Sequence, residues 1–164
     1  MFNSWSKIIN KIVMEIKTLH VSAIENGTVI DHIPSKVVFR VARILLLEEY
    51  PEHILIGTGL ESKKLPSKGI IKIKDKYLDK EEVNKIALIA PEATHIVIEN
   101  YKIKEKASVT IPDIVTGITK CVNPNCITNM ENVMTKFDVI SKTPLKMKCR
   151  YCEKIMDKKD LNFY

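Results

Sequence analysis

Apolar and polar positions change rhythm several times along the chain. EIKTLHVSAI, residues 15–24, is apolar-rich and partly alternating, which predicts a strand. ENG at 25–27 reads as a turn, and TVIDHI after it as a short strand or an ordered loop. From Pro34 the spacing becomes helical: Val37, Val38, Val41, Ile44 and Leu45 share one face of PSKVVFRVARILLLEEY. Proline at the start costs nothing, because the first turn of a helix has no use for its missing N–H.

HILIGTGLES predicts a second strand, KLPSKG a turn, and IIKIKDKYL a strand alternating Ile with Lys. Asp79 with Glu82 three residues on is a capping box, so a helix is expected through EEVNKIALIA, ending before Pro91. ATHIVIENYKIKEKASV is again strand-like, with a bend expected at ENY. The order strand, helix, strand, strand, helix, strand predicts a ferredoxin-like α+β domain: an antiparallel sheet with two helices on one face.

After residue 110 the helical rhythm fades. IPDIVTG, 111–117, reads as a junction. KFDVIS and PLKMKCRYCEK read as short strands, and IMDKKDLNFY as a final strand or short helix. The expected division is a leader over 1–14, a first domain over 15–110 and a small β-rich domain over 111–164. The leader is amphipathic but lacks a clean apolar run and a small-residue cleavage site, which argues against a signal peptide. There is no 18-residue apolar run, so no membrane span is expected.

Composition changes this picture little. The formal charge is +6. Lys far outnumbers Arg, which weakens the case for base reading. Four thiolates around a divalent metal would remove two of those charges, so nucleic acid is not an expected partner.

The four cysteines change it more. Cys121 and Cys126 enclose four residues, Cys149 and Cys152 enclose two, and twenty-two residues separate the pairs. Two short chelating turns suit tetrahedral zinc, and a segment of this size has too small a core to dispense with a metal. Four Cys ligands leave no open position, so such a metal would be structural. Two disulfides, a redox pair at Cys149 and Cys152, and an iron–sulfur cluster are the competing readings. No phosphate loop, nucleophile elbow or paired-His metal helix occurs. The rival to a docking module is a zinc-ribbon nucleic-acid or transcription-associated protein, on the strength of Arg150 and Tyr151 beside a cysteine pair.

Four stretches then come together: GTVIDHIP at 27–34, IKIKDKYL at 71–78, APEATHIVIENYKI at 90–103, and CVNPNC with CRYCEK at 121–154. In order and spacing they closely resemble the regulatory chain of aspartate carbamoyltransferase. The resemblance implies a non-catalytic, cytoplasmic chain with an allosteric nucleotide-binding domain and a domain holding one structural Zn2+ through Cys121, Cys126, Cys149 and Cys152. It implies CTP and ATP as effectors. The implied partners are catalytic chains, reached through the zinc domain, and a second regulatory chain, in an assembly of two catalytic trimers and three regulatory dimers acting early in pyrimidine synthesis. It further implies that Asp31 and Lys72 hold the ribose, Lys72 also part of the base, and that His32 and Lys106 lie near the triphosphate. Val21, Ala23 and Ile24 would run alongside the nucleotide. Ile24 and Tyr101 would read the base through their backbone, and Ile103 would form an apolar wall. Ile96 departs from the pattern, standing where relatives can carry an asparagine.

Overall fold

A computed structural model describes residues 23–164. Its first sheet is built by β1 (Gly27–Pro34), α1 (Val38–Ile44), β2 (Ile54–Leu60), β3 (Lys68–Lys74), α2 (Lys80–Ile89), β4 (Thr94–Glu99) and β5 (Lys102–Ser108). The strand order is β2-β3-β1-β4-β5, with every neighbouring pair antiparallel. The first four strands with α1 and α2 form the split βαβ arrangement, and β5 adds one edge.

Three local expectations change. Most of 15–24 lies outside the described residues, and Ala23 and Ile24 carry no regular structure. The strand that opens the described sheet is β1. It lies between β3 and β4, and Gly27 through Ile30 are all buried. Thr28, Val29 and Ile30 are all little exposed, so no apolar–polar alternation marks this strand.

The second change is at ENY, which is a hairpin turn joining two strands. Asn100 and Tyr101 both take left-handed backbone, with φ of 49° and 62°. Such turns match the twist of the flanking strands, but usually advertise themselves with Asn-Gly. Here the strain at Tyr101 is offset from outside the hairpin. Its N–H donates to the Glu25 carbonyl at 2.9 Å, and the Asn100 N–H to Asn26 Oδ1 at 3.0 Å.

Third, the stretch after Pro34 is not one helix. A 3-10 turn at Ser35–Val37 leads into α1, and Leu46, with φ of 52°, breaks it from a second 3-10 turn at Leu47–Glu49. The capping box of α2 forms as expected: the Glu82 N–H donates to Asp79 Oδ1 at 2.8 Å and the Asp79 N–H to Glu82 Oε2 at 3.0 Å.

The second sheet has the order β6-β7-β8-β9, from β6 (Ile114–Thr116), β7 (Lys136–Lys142), β8 (Leu145–Cys149) and β9 (Ile155–Asp157), with a short helix α3 (Ile127–Met130). Part of the expected junction is therefore an edge strand. A 3-10 turn at Lys158–Asp160 follows β9, capped by Asp157. The core under the first sheet includes Ile30, Ile33, Val41, Ile71, Ile73, Ile86 and Ile89, none of them exposed. The second sheet has fewer large buried side chains, chiefly Phe137, Met147 and Met156. Val109 and Ile111 carry the apolar cluster from one unit into the other. Among the described residues no helix is long and apolar enough to cross a membrane.

Candidate metal centre and effector face

The cysteine turns sit at one end of the second sheet. Cys126 immediately precedes α3, Cys149 ends β8, and Cys152 lies in the turn to β9. All four sulfurs lie within 4.8 Å of one another. Cys121 Sγ is 3.5 Å from Cys152 Sγ, and Cys126 Sγ is 3.8 Å from Cys149 Sγ. A disulfide needs about 2.0 Å, so none of these pairs is bonded. A tetrahedron with Zn–S bonds of about 2.3 Å places its sulfurs about 3.8 Å apart. The cluster therefore suits a structural zinc site held by Cys121, Cys126, Cys149 and Cys152, with no coordination position left for substrate. Burial pushes the Cys121 and Cys149 thiols above their ordinary range. It acts on Cys152 too, but hydrogen bonds, that of the Lys154 backbone first, bring that thiol down to about 7.

The turns are braced by neighbours. The Asn129 side-chain amide donates to the Cys121 and Asn123 carbonyls, both at 2.8 Å. The Thr128 hydroxyl lies 3.2 Å from Cys126 Sγ. In the second turn the Glu153 N–H donates to the Cys149 carbonyl at 2.9 Å, with Glu153 at φ 60°. Sequence spacing finds the ligands, but it is α3 that brings Asn129 back over the first turn. Asn129→Ala should weaken zinc affinity by about 10- to 100-fold, as losing a brace around metal ligands typically does. Competition with a chromogenic chelator measures this, and unchanged affinity would show that the brace is dispensable.

The second constellation lies on the face of the first sheet opposite the helices. Strand register lines up Lys106, Ile96, Val29, Lys72 and Leu55 as successive cross-strand neighbours. Residues in one such row share a face. Lys72 and Lys106 therefore flank an apolar strip of Val29 and Ile96, with about 14 Å between their strands at about 4.8 Å per step. Asp31 follows Val29 by two positions on the same strand, and Ile103, 61% exposed, pairs with Ile98 on β5. Tyr101 tops the β4–β5 turn, and Ala23 and Ile24 lie just before β1. Val21 falls outside the described residues.

Asp31 is tightly held. Lys68 Nζ donates to its two oxygens at 2.8 and 3.0 Å, and the His32 N–H donates to Oδ1 at 2.7 Å. Burial alone would raise the Asp31 pKa, but these bonds outweigh it and keep the carboxyl below its ordinary value. The Lys72 pKa is lowered as well, but by burial, and the charge of Asp31 opposes the shift. His32 sits at a break in β1 register with φ 58°, its Nδ1 3.3 Å from Asp31 Oδ2. Lys68 is the residue that sequence reading missed. The alternation of β3, with Gly69, Ile71 and Ile73 buried, puts it on the same side as Lys72, and that signal was available.

The features behind a nucleic-acid ribbon are otherwise engaged. The Arg150 guanidinium makes a fork with Asp138, its Nε donating at 2.9 and 3.0 Å and its Nη2 at 2.6 Å. The Tyr151 hydroxyl donates to the Met134 carbonyl at 3.1 Å.

Comparison with known proteins places both units. Residues 19–110 match the family model described as aspartate carbamoyltransferase regulatory chain, allosteric domain. Residues 113–162 match that of the same chain's metal binding domain. Similar curated proteins are the aspartate carbamoyltransferase regulatory chains of Pyrococcus horikoshii, 52% identical over 87% of this chain and 95% of the relative, and Thermococcus sibiricus, 54% identical over 87% and 94%. That of Parabacteroides distasonis is 46% identical over 88% and 94%.

Proposed function

The chain belongs to the family of aspartate carbamoyltransferase regulatory chains, and from that premise we propose that it binds nucleoside triphosphates, CTP and ATP among them, on the face carrying Asp31, Lys72 and Lys106. It is a non-catalytic allosteric subunit in pyrimidine biosynthesis. The row Lys106–Ile96–Val29–Lys72 carries the nucleotide reading. At one end of the apolar strip Lys106 offers charge to a triphosphate, at the other Lys72 donates to ribose and base, and the strip between is a dry surface for the base. Asp31, kept ionised and acceptor-only, is suited to sugar hydroxyls. Ile96 adds no hydrogen bond to the strip, so base reading falls to the backbone around Ile24 and Tyr101. His32 lies beside Asp31, and Ile103 extends the apolar surface. Val21 and Ala23 complete the contact set.

The second unit docks on catalytic chains, with zinc supplying rigidity to a domain whose own core is small. The first unit pairs with a second regulatory chain, giving two catalytic trimers joined by three regulatory dimers in the cytoplasm. A nucleotide alters activity only in so far as it binds the low- and high-activity states of that assembly unequally. Reconstitution with a catalytic trimer tests the whole reading. Nucleotide should shift the aspartate saturation curve only when this chain is present. Failure to form the complex would sink the docking role, and a complex deaf to nucleotide would sink the regulatory one.

A further inference from the structure

The carboxyl-terminal tail is more than the end of the second unit. After the 3-10 turn at Lys158–Asp160, the chain runs back along the segment that leads into Cys121. The Lys120 N–H donates to the Asn162 carbonyl at 2.8 Å, and the Tyr164 N–H to the Ile118 carbonyl at 3.3 Å. Thr119 forms a bridge with Phe163, and its hydroxyl donates to the Asn162 carbonyl at 2.9 Å. The tail is thus an added strand-like strap beside the first zinc turn.

Its other side meets the first unit. Arg40, on α1, donates from Nη2 to the Leu161 carbonyl at 3.0 Å, and its guanidinium lies 5.8 Å from the centre of the Phe163 ring. The bond spans 121 residues of sequence. Leu161 is 6% exposed, so its carbonyl is shielded from much of the competing water. Among the described residues Arg40 makes no ion pair; its charge is answered by a carbonyl and an aromatic face. The helix that carries it follows β1, the strand of Asp31 and His32, after one 3-10 turn.

We propose that Arg40 is a positioning residue: it clasps the tail Leu161–Tyr164 and thereby fixes the orientation of the zinc unit relative to the unit that carries Asp31. It touches neither the nucleotide face nor the cysteines. It acts through α1 on one side and through the strap beside Cys121 on the other. Its effect on regulation rests on the nucleotide reading above, whereas the clasp itself does not.

The test compares the full chain with Arg40→Met, Arg40→Lys and Phe163→Ala, free and in complex with a catalytic trimer. Amide hydrogen exchange is followed at Lys120 and Tyr164, ATP binding by calorimetry, and the ATP-induced shift in aspartate saturation by steady-state rates. In Arg40→Met these amides should exchange about tenfold faster, as expected for losing a bond from a charged donor. Zinc content and ATP affinity should stay unchanged, while the shift in aspartate saturation falls by about half or more. Arg40→Lys, which keeps the charge over the ring, should recover part of both effects. Phe163→Ala leaves α1 intact and should reproduce the faster exchange. Unchanged exchange in both Arg40→Met and Phe163→Ala would overturn the clasp. Faster exchange with a full ATP response would overturn its positioning role. If the unsubstituted chain fails to bind ATP, the proposed function falls and the exchange rates still decide the clasp.

Discussion

Cys149→Ser should leave the first sheet folded and collapse the second. The asymmetry follows from where the apolar side chains are. Ile30, Ile33, Ile71, Ile73, Ile86, Leu88 and Ile89 fill the space between the first sheet and its helices, each at most 1% exposed. The second sheet has chiefly Phe137, Met147 and Met156. A unit of this size sits near the limit of what burial alone supports, whereas a structural zinc site supplies on the order of 10 kcal/mol of folding free energy. Removing one thiolate leaves three ligands and an open position, and most of that energy is lost. Amide exchange would report it directly: protection across β7 and β8 should vanish, protection across β1 and β3 should persist, and zinc should fall from one per chain to near zero. Association with catalytic chains should be lost in the same variant. Persistent protection of β7 and β8 without metal would show that the core suffices by itself. Acid should act in the same direction, because protons compete with metal for the sulfurs.

Lys72→Met together with Lys106→Met should abolish nucleotide binding without loosening the fold. Each ammonium is placed to make charge-assisted bonds worth about 1.5–3 kcal/mol, so each single variant should lose roughly 10- to 100-fold in affinity. Methionine retains the length and apolar stem of lysine, so the strip of Val29 and Ile96 keeps its neighbours. Calorimetric titration with ATP and CTP measures the loss, and thermal unfolding checks the fold. The triphosphate should dominate: ADP should bind more weakly than ATP to the unsubstituted chain, and the two should converge in the double variant. Equal ATP affinity before and after substitution would remove this face from consideration.

The features legible in the sequence were the local ones. The capping box of α2 needs only residues three apart, and it formed as read. The cysteine pairs needed only their spacing. The alternation of β3 was legible because one of its faces is buried and the other is not. The features left open or missed share a cause. Gly27 through Ile30 are buried in succession, so alternation is lost and the local pattern leaves strand and ordered loop both open. The β4–β5 hairpin lacks glycine, and the groups that stabilise Asn100 and Tyr101 lie more than 70 residues away, at Glu25 and Asn26. Lys68 gains meaning only when β3 pairs with β1 and brings it to Asp31. Arg40 is further removed still, since its partner lies 121 residues on.

That last separation bears on synthesis. Every strand of the first sheet has been made by Ser108, before any cysteine of the metal site. All four zinc ligands have been made by Cys152. Arg40 must wait for Leu161 and Phe163, which follow the last of those ligands in the chain. Domains generally fold as they emerge, N-terminal first. A nascent chain can therefore hold its first sheet and all its metal ligands before Arg40 has met its partners. The Arg40 clasp proposed above can close only after every zinc ligand is in place, so metal binding can precede the contact that orients the second unit.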